Sequence, residues 1–139
     1  MAFVIDASAT LPWCFEDEAT PSTDRLLFNL RIGDTAFVPA HWPLEVLNSL
    51  LVAVRRGRIP REKIERFWSD LTALAIRVEP TGMAAWSEIH RLAEQYRLTA
   101  YDAAYLQLAQ RTGLPLATLD SDLRKAATAA GAPLVELAP

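Results

Sequence analysis

One cysteine, Cys14, stands in a chain of 139 residues. A lone thiol excludes an internal disulfide and a thiolate zinc cluster, and it fits a reducing compartment. Histidine is almost as scarce, with only His41 and His90. No uncharged apolar run approaches the roughly 20 residues that cross a bilayer, which excludes a membrane partnership. The opening Met-Ala-Phe-Val-Ile-Asp has neither the basic lead nor the long apolar stretch of a signal peptide. These absences together predict a soluble, cytoplasmic protein. Basic charge is not in excess either: 14 Lys and Arg face 17 Asp and Glu, for a net −3 and a pI near 5.4. That balance argues against a general nucleic-acid-binding surface but leaves room for a local basic patch. Internal repeats, low-complexity tracts and linkers are also lacking.

What remains is ordinary globular material, 51% hydrophobic and 22% charged, enough for one domain over 1–139 that buries about two-thirds of its unfolded surface. Short β-type runs alternate with helical stripes. The candidate strands are Phe3–Ile5, Ala36–Val38, Ile76–Val78, Leu116–Thr118 and Leu134–Val135. Between them, Leu47, Leu50, Leu51 and Val54 repeat at the spacing of one buried helix face. Ile64, Phe67, Trp68 and Leu71 do the same, as do Tyr101, Ala104, Tyr105 and Leu108, and more loosely Trp86, Ile89, Ala93 and Tyr96. Gly57, Gly113 and Gly131 follow helical runs where C-caps are expected. Pro43, Pro60, Pro80, Pro115 and Pro133 fall near element starts, where a missing N–H costs least. Such alternation predicts an α/β fold, a three-layer α/β/α sandwich around a parallel sheet of about five strands.

Four acidic residues end or open otherwise apolar segments: Asp6, Glu45, Asp102 and Asp120. A carboxylate in apolar surroundings is costly unless something positive compensates it. Asp6 and Asp120 lie at strand ends, Glu45 and Asp102 in the first turns of helices. All four can face the crevice beyond the strand carboxyl ends where an open sheet reverses its order. Each also has a local reading. Asp6 and Asp120 can cap the helices that follow them, Thr99-Ala-Tyr-Asp102 fits a capping box with Asp in the final position, and Glu45 complements a helix dipole. It is the gathering of all four at one edge that points to a divalent metal. Ser8 and Thr118 stand two residues from Asp6 and Asp120, close enough to orient them. Asn48 lies one turn beyond Glu45, and Asp122 offers a fifth carboxylate.

Val-Ile-Asp6-Ala-Ser8, Glu45 at a helix start, Leu-Thr-Ala-Tyr-Asp102-Ala-Ala-Tyr-Leu-Gln-Leu-Ala and Leu-Ala-Thr118-Leu-Asp120-Ser-Asp122-Leu together resemble the PIN domain, and most of all its VapC-type toxins. These are the ribonuclease half of bacterial and archaeal toxin–antitoxin pairs. The resemblance runs through essentially the whole chain, in order and spacing. It implies that Asp6, Glu45, Asp102 and Asp120 form the family's acidic metal-binding quartet. Asp122 matches an acidic position that only some members carry. The resemblance also implies a toxin that dimerises, or joins a toxin–antitoxin hetero-oligomer, and is silenced by a small cognate antitoxin.

Hard carboxylates without His or Cys select Mg²⁺ or Mn²⁺ over zinc, and such a site suits hydrolysis of an RNA phosphodiester to a 5′-phosphate and a 3′-hydroxyl. One ion or two is left open. Arg55, Arg56, Arg58, Arg61, Lys63 and Arg66 form a candidate RNA surface or a solvated helix–helix turn, with Arg124 and Lys125 as alternative phosphate contacts. His41 and His90 read as structural or peripheral, although His41 lies near Glu45. Of the four tryptophans, most belong in the core. The Trp68 helix and the region from Leu11 to Leu30 are the candidate dimer or antitoxin contacts. Two rivals remain: another Mg²⁺-dependent phosphoryl hydrolase, weakened because Asp6-Ala-Ser8 replaces an Asp-x-Asp, and a catalytically silent binding module.

Overall fold

The computed structural model describes residues 1–137, so the last two positions of the 1–139 span lie outside the described residues. Its strands are β1 (Ala2–Ile5), β2 (Thr35–Pro39), β3 (Ile76–Glu79) and β4 (Leu116–Ala117), all parallel, in the order β3-β2-β1-β4. Around them lie α1 (Ala7–Thr10), α2 (Pro21–Arg31), α3 (Trp42–Arg55), α4 (Glu62–Thr72), α5 (Trp86–Tyr96), α6 (Ala100–Thr112) and α7 (Ser121–Ala129). Phe3, Val4 and Ile5 have no exposed surface. A strand buried on both faces is what a parallel sheet between helix layers requires, and the α/β/α sandwich stands.

The expected fifth strand does not form. Leu134 makes only an isolated parallel bridge to Leu116, framed by Leu116 N–H donating to the Pro133 carbonyl and Val135 N–H donating to the Leu116 carbonyl. Pro133 has no N–H to extend the ladder, and β4 itself stops at Ala117, one residue before Thr118.

Two helix faces also differ from their stripes. In α3 the buried residues are Trp42, Val46, Leu50 and Ala53, while Leu47 is exposed. The apolar surplus on α3 spreads the stripe, and packing selects its neighbouring row. Helix α6 is buried around its whole circumference from Ala103 to Ala109, as expected of a helix apolar on all sides. It packs on β1 and β2 and touches α5 and α7, while α3 packs on α1 and α4.

The chain runs β1, β2, β3 toward one edge and then returns to place β4 on the other side of β1. The reversal therefore falls between β1 and β4, and the segments leaving those two strands begin with Asp6 and lead to Asp120.

Candidate active site

Asp6 is the most constrained of the acids. It is 4% exposed and caps α1, its Oδ1 accepting from the Ala9 backbone N–H at 3.1 Å and from the Ser8 hydroxyl at 2.7 Å. Thr118, fully buried, donates its hydroxyl to Asp6 Oδ2 at 2.5 Å and accepts the Asp120 backbone N–H at 3.0 Å. The Ser8 hydroxyl also accepts the Leu119 N–H at 2.8 Å. Two hydroxyls therefore lace the end of β1 to the segment after β4. Ser8 orients Asp6 as its spacing predicted, whereas Thr118 turns to Asp6 rather than to the Asp120 carboxylate two residues on. Burial raises the Asp6 carboxyl to about 6, against the lowering pull of Thr118, Ser8 and Ala9 and with a further push from Asp102.

Asp120 caps α7 through Oδ2, which accepts the Leu123 N–H at 2.9 Å. Asp102 lies in the first turn of α6, where Thr99 caps by accepting the Asp102 backbone N–H at 3.1 Å. Only this half of the expected capping box forms, so the Asp102 carboxylate is not spent on closing it. Burial pushes that carboxyl up, and the nearby charges of Asp120 and Glu45 add to the push. Asp102 is thus within electrostatic reach of Asp6, Asp120 and Glu45.

Glu45 is anchored by a residue whose role the sequence concealed. Tyr105, 1% exposed on α6, donates its hydroxyl to Glu45 Oε1 at 2.5 Å, tying α6 to α3. His41 Nε2 lies 3.2 Å from the same oxygen, at an angle that makes no aligned hydrogen bond, and its ring stands edge-on to Tyr105 and tilted against Tyr101. Burial raises the Glu45 carboxyl, but His41 and Tyr105 outweigh it and hold the group below its ordinary range. Burial together with the Glu45 contact pushes the Tyr105 hydroxyl far up, so it stays a proton donor. The available signal was position: Tyr105 is three residues after Asp102, on the same side of the helix.

The other candidates scatter. Asp122 is exposed in a shallow groove with Tyr96, Arg97 and Lys125, and Asn48 is exposed, its side chain making no hydrogen bond among the described residues. The basic turn lies at the far end of α3, ten residues or about 15 Å along the axis from Glu45. Arg58 there is engaged elsewhere: it bridges Asp17 and Glu18 and lies over the Phe15 ring. Arg124 is the cation at the acidic edge, donating to the Thr118 carbonyl at 2.9 Å. His90 is peripheral, on α5 beside Glu94 and Trp86.

In kind, the donor set fits a hard divalent ion. It is made of carboxylates without a paired Lys or Arg, and Asp6 Oδ2, Asp120 Oδ1 and Glu45 Oε2 each keep acceptor capacity beyond the bonds described. In spacing, no three His, Cys, Asp or Glu side chains among the described residues stand close enough to hold an ion as they are.

A parallel sandwich with acids gathered where the sheet reverses defines a class, and the chain belongs to it: the PIN domain model matches residues 3–129, placing this protein in that family. Ribonuclease VapC3 of Pyrobaculum aerophilum is 29% identical over 127 residues, covering 88% of this chain and 92% of that protein. Among solved structures, PAE2754 from Pyrobaculum aerophilum superposes with a TM-score of 0.70 at 23% identity, covering 91% of this chain and 84% of that one. A toxin–antitoxin complex from Klebsiella pneumoniae gives 0.62 at 15%, covering 86% and 87%. VapBC2 from Rickettsia felis, solved bound to a DNA fragment from its promoter, gives 0.64 at 11%, covering 98% of each chain. At these identities the structural likenesses speak for the fold. No helix among the described residues is long and apolar enough to cross a membrane.

Proposed function

We propose that this protein is a Mg²⁺- or Mn²⁺-dependent endoribonuclease and the toxin of a toxin–antitoxin pair. The observation that carries the reading is Asp102 feeling the charges of Asp120 and Glu45, with Asp6 buried at the sheet reversal and pushed up by Asp102 in turn. Carboxylates gathered without a Lys or Arg partner, two of them (Asp6 and Asp102) pushed up by burial and by neighbouring acids, suit a cation site. The resemblance of the chain to ribonuclease VapC3 adds weight to an RNA substrate.

Asp6, Glu45, Asp102 and Asp120 would hold the ion. When bound, it supplies Lewis acidity and a lowered pKa for water. The chain's own part is positional. Ser8 and Thr118 fix the direction of Asp6, Tyr105 fixes Glu45, and Arg124 stands at the rim where a phosphate enters. Water adds in line to phosphorus as the bond to the 3′ oxygen breaks, leaving a 5′-phosphate and a 3′-hydroxyl. Loading requires Asp6 to be ionised, so divalent affinity rises with pH through about 6.

A cognate antitoxin is the partner that the toxin–antitoxin complexes of similar fold suggest. Its contact we assign to α4, where Trp68 joins Pro43, Leu44, Leu47 and Ile64 around an apolar groove of about 200 Å³.

The test is cleavage of a mixed RNA pool by purified, antitoxin-free protein, in Mg²⁺ or Mn²⁺ and then in EDTA, with Asp6→Asn as the control for contaminating nuclease. Discrete products from the wild type alone, lost in EDTA, are expected. Folded protein that binds no divalent ion and cuts nothing would return the chain to a silent binding module.

A further inference from the structure

Beside the acidic edge, the first turns of α5 and α6 leave an open groove of about 370 Å³ lined by His41, Met83, Trp86, His90, Tyr101 and Ala104 among others. Its rings are unusually available. Trp86 is 62% exposed and Tyr101 63%, although helical periodicity places both on buried faces. They are first-turn residues that project past the packed layer. Each is steadied from behind by an imidazole: Trp86 with His90 at 5.5 Å between ring centroids, and Tyr101 with His41 at 5.5 Å. The groove is continuous with the candidate active site. His41 touches Glu45, and Tyr101 precedes Asp102.

We propose that this groove seats an unstacked base of single-stranded RNA, stacked on Trp86 and Tyr101, one step along the strand from the phosphate held at the acidic quartet. Three features select this occupant. First, the lining carries no Lys, Arg, Asp or Glu, so it suits the flat, uncharged part of a nucleotide, while the charged part belongs at the adjoining carboxylates and their cation. Second, its volume of about 370 Å³ lies in the range of small-ligand pockets, roughly 300–1,000 Å³, large enough for one base. Third, sequence-selective RNA binding works chiefly by splaying bases from single-stranded segments onto aromatic faces. The inference rests on the ribonuclease reading and deepens it by placing a base subsite next to the cleavage point.

The test uses the Asp102→Asn protein, so that RNA binding is read without cleavage, and a short fluorescein-labelled single-stranded RNA in Mg²⁺. Trp86→Ala and Tyr101→Ala should each weaken binding on the order of tenfold, the scale of losing one base–aromatic stack. Trp86→Phe should restore most of it. A structural role would not reproduce the second readout. RNAs with one abasic ribose stepped along the strand should bind weakly at one position to the Trp86-bearing protein, and that position dependence should vanish in Trp86→Ala. Unchanged affinity in both alanine variants, or abasic effects identical with and without Trp86, overturns the base subsite. So does a pair of variants that alter only self-association, which would make the patch a contact between copies. Failure of the parent reading shows elsewhere, as wild-type protein that cuts no RNA in Mg²⁺ or Mn²⁺; the binding comparison is decided either way.

Discussion

Asp6 and Asp120 leave the ends of strands, whereas Glu45 and Asp102 open helices, and the fold constrains the two pairs differently. The strand pair is laced by Ser8 and Thr118 into one network in which backbone N–H groups of Ala9, Leu119, Asp120 and Leu123 are all satisfied. Asp6 cannot move without leaving hydroxyls and amides unpaired in the interior, a cost of about 1–3 kcal/mol per group. The helix pair has no such lacing. Glu45 has a tether at one oxygen, and Asp102 is half-buried, with Thr99 accepting its backbone N–H. Asp6 is held at both oxygens and Glu45 at one, and among the described residues no three of these acids stand close enough to form a ready-made cage.

The comparison breaks most plainly at Asp102. Asp102→Asn should keep the fold, because the cap uses a backbone N–H that Asn retains, and it relieves repulsion from Asp120 and Glu45. Cleavage should fall on the order of a thousandfold or more, since metal-site charge stabilisation is worth several kcal/mol and about 1.4 kcal/mol is tenfold in rate. Single-turnover rates alongside a melting curve separate the two effects. Wild-type rates in this variant would remove Asp102 from the site.

For the strand pair the signature is pH. The Asp6 carboxyl titrates near 3.8 when unfolded and at about 6 when folded, so folding favours its protonated form. Its stabilising contribution is fully present below pH 3.8 and is lost as pH rises through about 6. From the two values the loss is about 3 kcal/mol by pH 7. In EDTA, wild type should therefore lose stability between pH 4 and pH 7 by that much more than Asp6→Asn, measured by urea midpoints. Parallel pH curves for the two proteins would show that Asp6 is not strained by its burial. Saturating Mg²⁺ should flatten the wild-type slope, because the ion favours the ionised form.

Thr118→Val sharpens the contrast on a smaller scale. The substitution preserves shape and removes both the donor to Asp6 Oδ2 and the acceptor of the Asp120 N–H. A loss of about 2 kcal/mol is expected for these buried groups. An equal loss in an Asp6→Asn background would show that the network does not run through Asp6.

These two halves were not equally legible in the sequence. The strand-end acids and the Ser8 hydroxyl could be read because Asp6-Ala-Ser8 is a local pattern, and local spacing is what a sequence displays. Thr118 stands two residues from Asp120, but its hydroxyl goes to Asp6, 112 residues away. The α/β alternation was legible from local spacing too. Tyr105 was not, because its bond to Glu45 spans 60 residues and its spacing also serves a buried helix stripe. The stripes misplaced Leu47, Trp86 and Tyr101, all exposed. Periodicity fixes which residues share a helix face, but the end of a neighbouring layer decides whether that face is covered. The fifth strand failed on a similar point, with Pro133 beside a two-residue β4.

The smallest expected effect bears on the helix pair. Tyr105→Phe keeps the buried ring and removes the hydroxyl that holds Glu45 Oε1, leaving His41 as the remaining neighbour of that oxygen. Stability should fall by about 1 kcal/mol, the usual worth of one hydrogen bond, and the Glu45 carboxyl should titrate higher, since one of the contacts that lowers it is gone. If Tyr105 acts on the ion only through Glu45, its removal weakens Mg²⁺ binding in the wild-type background and has no further effect in Glu45→Gln. Calorimetric titration of the four proteins of that cycle reads this directly. Equal losses in both backgrounds would make Tyr105 a strut between α6 and α3 and leave Glu45 as free as Asp102.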